Sequence, residues 1–152
     1  MTTSNAPADM RGIDHVCVRV DDFERAISWY GEKLGFSVEK RWKVEQLPGV
    51  EMAYLRGQSG SRLEIIGGGE GSRPVGQNFM EQFGRRGWQH ICFSSDNVDA
   101  TMADLASRGV SVVLPAMDYA EGPGARAAFV HDPESNLIEF IGPLNSSIGL
   151  IE

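Results

Sequence analysis

The chain repeats itself. His15 precedes Glu64 by the interval at which His90 precedes Glu139 (64 − 15 and 139 − 90 both give 49), and the two pairs are offset by 75 residues. The flanks follow the same offset: Gly12, His15, Cys17 and Asp21 recur as Gly87, His90, Cys92 and Asp96. Gly35-Phe36-Ser37-Val38 returns, slipped by one residue, as Gly109-Val110-Ser111-Val112, and Ala53-Tyr54-Leu55 returns as Ala128-Phe129-Val130. A unit this long, used only twice, does not fit a solenoid; it fits two pseudo-symmetric modules closing one shared core, with two half-sites facing each other.

Each module reads as a strand, a helix and three more strands. Alternation from His15 puts Val16, Val18 and Val20 on one face and His15, Cys17 and Arg19 on the other. The helix that follows opens at Asp21 or Asp22, carries Phe23, Ala26, Ile27, Tyr30 and Leu34 at helical spacing, stops at Gly35, and should bury the valine face. In the second module Ile91 and Phe93 take the covered face, and a helix from Asn97 to Gly109 presents Val98, Met102 and Leu105 to it. The remaining strands are expected at 36–44, 50–56 and 61–67, then at 110–114, 125–131 and 136–141, with the last two joined by the turn Asp132-Pro133-Glu134-Ser135-Asn136.

The expected organisation is a flexible tail at 1–10 and one domain at 11–142, followed by a C-terminal tail at 143–152. Within the domain, module one spans 11–67 and module two 87–142. The linker at 68–86 carries a short helix suggested by Val75, Phe79 and Phe83, next to a flexible joint at Gly67, Gly68, Gly69 and Gly71. A length of 152 residues is enough for one proper core. With 21 acidic residues against 14 basic ones, the net charge of −7 makes nucleic acid an unsuitable partner. No apolar run is long enough for a membrane helix, and the first residues lack the cationic and apolar segments of a secretory signal, so a cytoplasmic location is expected. Cys17 and Cys92 hold equivalent strand positions and read as reduced, cavity-lining thiols.

In Arg62-Leu63-Glu64-Ile65-Ile66 and Leu137-Ile138-Glu139-Phe140-Ile141, a single carboxylate is set into an otherwise apolar strand. Burying an unpaired carboxylate costs several kcal/mol, so each should meet a cation, a proton or a strong hydrogen-bond donor. With a histidine in register in each module, one divalent metal held by His15, Glu64, His90 and Glu139 meets both needs. Two imidazoles and two carboxylates suit Ni²⁺, Co²⁺, Zn²⁺, Mn²⁺ or Mg²⁺.

The stretches Ile13-Asp14-His15-Val16, Trp29-Tyr30 with Leu34-Gly35-Phe36, Leu63-Glu64-Ile65, His90-Ile91-Cys92-Phe93 and Asp132 to Glu139 together resemble the vicinal oxygen chelate superfamily. That superfamily includes glyoxalase I, methylmalonyl-CoA epimerase, extradiol dioxygenases and bleomycin-resistance proteins. The resemblance runs from about Gly12 to Gly142. It implies an α+β fold in which two paired βαβββ modules form a U-shaped, eight-stranded mixed sheet around a divalent metal, in a homodimer. The His/Glu set resembles the isomerases, in which a carboxylate removes a proton next to a metal-polarised carbonyl. Glu139 or Glu64 would be that base. Glu51, in a stretch that resembles the segment around an epimerase carboxylate, would be another. Arg19 and Arg86 match positions where glyoxalase I enzymes bind a substrate carboxylate, a role suited to a guanidinium fork. The implied substrates are small molecules, an acyl-CoA or a glutathione adduct.

Two other readings remain open. An extradiol-type dioxygenase would use Fe, but Ala120 and Phe129 stand where that family places its acid-base histidine and tyrosine. A metal-free resistance-type binding protein would not need the full ligand set. The third histidine, His131, is assigned to the turn rather than to chemistry.

Overall fold

The alternation that starts at His15 becomes the first strand, and the rest follows the repeat. In this computed structural model the described residues are 13–43, 45–69, 79–83, 87, 89–120 and 124–144. The elements run β1 (Val16–Val20), α1 (Phe23–Leu34), β2 (Ser37–Lys43), β3 (Val50–Arg56), β4 (Arg62–Gly68), α2 (Phe79–Phe83), β5 (His90–Ser94), α3 (Val98–Ser107), β6 (Val112–Tyr119), β7 (Ala125–His131) and β8 (Leu137–Gly142). The eight strands form two four-stranded mixed sheets, ordered β1-β4-β3-β2 and β5-β8-β7-β6. In each sheet the first strand of the half lies at an edge, parallel to the last strand. No helix among the described residues is long and apolar enough to cross a membrane.

Local signals set the helix ends. Asp22 caps α1 by accepting from the Arg25 backbone N–H at 3.0 Å, and Gly35 ends it at φ 71°, a conformation glycine adopts without strain. Asn97 caps α3 in the same way through Ala100. The apolar side of α1 buries Phe23, Ala26, Ile27 and Tyr30 against β4 and β2. Its N-terminal end sits so close to the sheet that a Cβ on Gly67 would lie 2.5 Å from the Phe23 Cβ, which explains a glycine inside β4. One cluster joins Leu55, Leu63 and Ile65 of the first half with Val98, Val130 and Ile138 of the second, so the halves share a core.

Gly67 and Gly68, expected in a flexible joint, instead close β4 and pair with β3, and two further details depart from the sequence reading. Val16, expected under α1, is 37% exposed, because the helix covers the other end of β1, where Val20 is 4% exposed. The strand expected at 110–114 instead runs from Val112 to Tyr119 through Pro115, with register shifts on either side of Leu114. An edge strand tolerates both, since one of its backbone rows has no ladder partner to lose.

The turn at 132–136 does more than reverse the chain. Asp132 Oδ1 accepts from the backbone N–H groups of Glu134 and Asn136 at 2.8 and 2.9 Å, and its Oδ2 accepts from Asn136 Nδ2 and from Tyr30 Oη at 2.9 and 3.0 Å. Glu134 Oε1 accepts from the Asp22 backbone N–H at 3.1 Å. The hairpin of the second half is thereby fastened to α1 of the first through buried polar groups. Burial, and then the Asp132 charge, hold the Tyr30 phenol far above its ordinary pKa, so it remains a donor.

Candidate functional site

Strand register gathers the conspicuous polar side chains on one face of each sheet. In β4 the helix-facing residues are Leu63 and Ile65, so Glu64 points to the opposite face, where its register partners are Cys17 in β1 and Tyr54 in β3. His15 shares that face by alternation with Cys17. Its Nε2 lies 3.4 Å from Glu64 Oε2, and its ring centroid is 5.2 Å from that of Tyr54, which also packs on Trp42. The second half repeats the arrangement. Glu139 is in register with Cys92 and Phe129, His90 Nε2 is 3.0 Å from Glu139 Oε2, and the His90 ring meets Phe129 edge-on at 5.5 Å. Phe79 of α2 covers Phe129 from outside at 5.2 Å.

The four expected ligands therefore form two pairs. Among the described residues, no three His, Cys, Asp or Glu side chains come close enough together to hold one ion. Each pair by itself suits a metal: donors about 2.1 Å from an ion and at right angles to each other stand about 3 Å apart, close to the two N···O separations found. The donor chemistry, imidazole beside carboxylate, suits the divalent ions named above.

Each imidazole also has a polar neighbour at Nδ1, which the ligand spacing alone does not announce. Asp14 Oδ1 lies 2.9 Å from His15 Nδ1, and the matching residue Gln89 turns its Oε1 to His90 Nδ1. Such contacts set which ring nitrogen carries the proton and leave Nε2 for the site. The hydrogen bond to His15, followed by that to Arg62, holds the Asp14 carboxyl below its usual range. The signal was available: Asp14 and Gln89 share the 75-residue offset. The cysteines line the same face as free thiols. Burial first, then the neighbouring glutamate, pushes Cys17 up to about 11 and Cys92 up to about 12, so both remain protonated near neutrality.

Arg19 lies on the His15 face, with Nη2 donating to the Gly68 carbonyl at 2.6 Å, which holds the guanidinium at the end of β4. Arg86 lies outside the described residues. Glu51 goes elsewhere. It alternates with Ala53 and Leu55, whose side chains enter the core, and is in register with Gly67 beneath Phe23. It pairs with Lys43 on the face opposite Glu64. Glu51→Gln is expected to change metal affinity and turnover by less than about twofold, as is usual for a surface pair; a tenfold loss of turnover in steady-state assays would return Glu51 to the site. His131, at the end of β7, is in register with Leu137, its backbone N–H donates to the Ser111 carbonyl, and burial lowers its imidazole pKa. His131→Gln should likewise leave metal content, measured by elemental analysis, near the wild-type level.

Residues 12–140 match the Glyoxalase/Bleomycin resistance protein/Dioxygenase superfamily. Among curated relatives, lactoylglutathione lyase of Schizosaccharomyces pombe is 28% identical over 144 residues, covering 85% of this chain and 46% of that protein. The mitochondrial methylmalonyl-CoA epimerase of Mus musculus is 28% identical over 100 residues, covering 64% of this chain and 53% of that one. The chain thus spans about half the length of these relatives. Among solved structures, a trypanothione-dependent glyoxalase I from Leishmania major superposes with a TM-score of 0.63 at 25% identity over 88% of this chain and 87% of that one. A glyoxalase family protein from Enterococcus faecalis gives 0.71 at 22% identity over 86% and 97%.

Proposed function

The chain belongs to the Glyoxalase/Bleomycin resistance protein/Dioxygenase superfamily, and we propose that it acts as a divalent-metal-dependent isomerase or lyase that moves a proton next to a carbonyl. The observation that carries this reading is the twofold occurrence of an imidazole Nε2 facing a carboxylate oxygen, at 3.4 and 3.0 Å, in matching register on the same face of each half. His15 and Glu64, with His90 and Glu139, would hold the ion, which could be Ni, Co, Zn, Mn or Mg. When bound, such an ion stabilises the negative charge that grows on a carbonyl oxygen as the adjacent C–H proton leaves, without changing its own oxidation state. Glu139, or its counterpart Glu64, takes that proton. Tyr54 with Trp42 beside the first pair, and Phe129 with Phe79 beside the second, would offer aromatic surface to the body of the substrate. Arg19, held to Gly68 through one nitrogen, keeps its other N–H groups for an anionic end of the substrate, and Arg86 would join it. The names of the relatives point to a glutathione adduct or an acyl-CoA as that substrate.

A complete four-ligand centre, in this reading, forms between two copies of the chain. The histidines stand on or beside β1 and β5, both sheet-edge strands, and their pairs do not meet in one chain. A twofold dimer would bring His15 and Glu64 of one copy to His90 and Glu139 of the other, twice. Mixing two inactive variants tests this. His15→Gln and His90→Gln dimers, exchanged by mild denaturation and refolding, should regain about a quarter of wild-type activity, since half the dimers are mixed and each mixed dimer has one intact site. If the site forms within one chain, no mixture recovers activity.

A further inference from the structure

The two candidate ligand histidines are supported differently at Nδ1. Behind His15 stands Asp14, whose two oxygens both accept from Arg62 Nη1, at 2.9 and 3.0 Å. Arg62 is fixed in turn: Nε and Nη2 donate to Glu39 at 3.1 and 2.8 Å, and the guanidinium lies over the Tyr54 ring at 4.9 Å from its centroid. The result is a chain of contacts from Glu39 through Arg62 and Asp14 to the His15 imidazole. In the second half the residues at the same offset are Gln89 and Leu137. His90 therefore faces a neutral amide, and no guanidinium stands at the Arg62 position. The Gln89 Nε2 is buried and has no hydrogen-bond partner among the described residues.

We propose that Asp14, pinned by Arg62, is a positioning residue that makes His15 the stronger of the two imidazole donors, so that the β1/β4 pair captures and retains a divalent ion while the β5/β8 pair exchanges more readily. The inference rests on the metal reading given above. A carboxylate on Nδ1–H fixes the tautomer and raises electron density at Nε2; a carboxamide fixes the tautomer but contributes little charge. The pseudo-symmetric centre is thus built unequal, with a holding side and an opening side. An opening side is where a substrate oxygen can enter without the ion being lost.

The test uses full-length protein stripped of metal and titrated with Co²⁺ alone, followed by calorimetry and by the visible absorption of the bound ion. Asp14→Asn and Arg62→Leu should each weaken Co²⁺ binding about tenfold, the low end of outer-shell effects because Asp14 is exposed, and Asp14→Asn should shift the absorption bands. Gln89→Leu should change affinity by less than about twofold, and Gln89→Glu, which supplies the missing carboxylate, should tighten it several-fold. Asp14→Asn binding Co²⁺ as tightly as the wild type, with unchanged bands, would overturn the proposal while leaving the metal reading in place. So would a Gln89→Leu loss equal to that of Asp14→Asn. A wild-type protein that binds none of Co²⁺, Ni²⁺ or Zn²⁺ would overturn the metal reading, and this proposal with it.

Discussion

Glu139→Gln should leave a folded protein that has lost proton transfer. The substitution is nearly isosteric, and the side chain, 16% exposed, lies on the site face of β8 rather than in the core, where a carboxamide can still hydrogen-bond. Two separate losses are expected. Replacing the charged donor weakens metal binding. Removing the base then lowers exchange of the substrate α-proton by about 10² to 10⁴-fold even at saturating metal. Measuring exchange against added metal separates these effects. A Glu139→Gln protein restored to near wild-type exchange by excess ion would show that the residue is a ligand only, and would assign the base to Glu64. Melting curves should overlay those of the wild type to within about 3 °C, since partly exposed polar substitutions rarely cost more than about 1 kcal/mol.

Asp132→Ala should damage stability instead. The carboxylate is 5% exposed and accepts four hydrogen bonds, so alanine leaves the Tyr30 hydroxyl, two backbone N–H groups and the Asn136 amide short of partners. Each buried donor left unsatisfied costs about 1–3 kcal/mol, part of which water recovers in the space vacated. A net loss of about 4 kcal/mol, and a fall in Tm of about 10 °C, is expected for a chain of this size. Tyr30→Phe removes one of the four bonds and should cost about 1 kcal/mol, or about 3 °C. Thermal unfolding followed by circular dichroism checks both, and an Asp132→Ala protein melting within 2 °C of the wild type would mean that the turn does not lock the halves together.

These two residues also mark how far the sequence could be read. β3 and β7 lie at the expected bounds, and α1 ends where Asp22 and Gly35 signal, because those features depend on neighbouring residues. The side of the sheet that Glu64 and Glu139 face was legible for the same reason. The same alternation places Glu51, which shares parity with Ala53 and Leu55, on the face opposite Glu64. The Tyr30–Asp132 bond joins residues 102 apart, and no local pattern announces it. The relation between the two His/Glu pairs is hidden as well. It depends on how the halves are arranged about their shared core, and the repeat specifies each half but not the angle between them.

Hydrogen–deuterium exchange at the substrate α-carbon, measured anaerobically in heavy water on metal-loaded protein, is the decisive experiment. Racemic methylmalonyl-CoA and the methylglyoxal–glutathione adduct serve as substrates, and mass spectrometry follows the label. Proton transfer assisted by a Lewis-acidic ion predicts deuterium incorporation into at least one of them, supported by redox-inert ions such as Zn²⁺ or Mg²⁺ and independent of oxygen. No exchange with any divalent ion, together with oxygen uptake when an Fe²⁺-loaded sample meets a catechol, would contradict the account and make the protein a ring-cleaving dioxygenase.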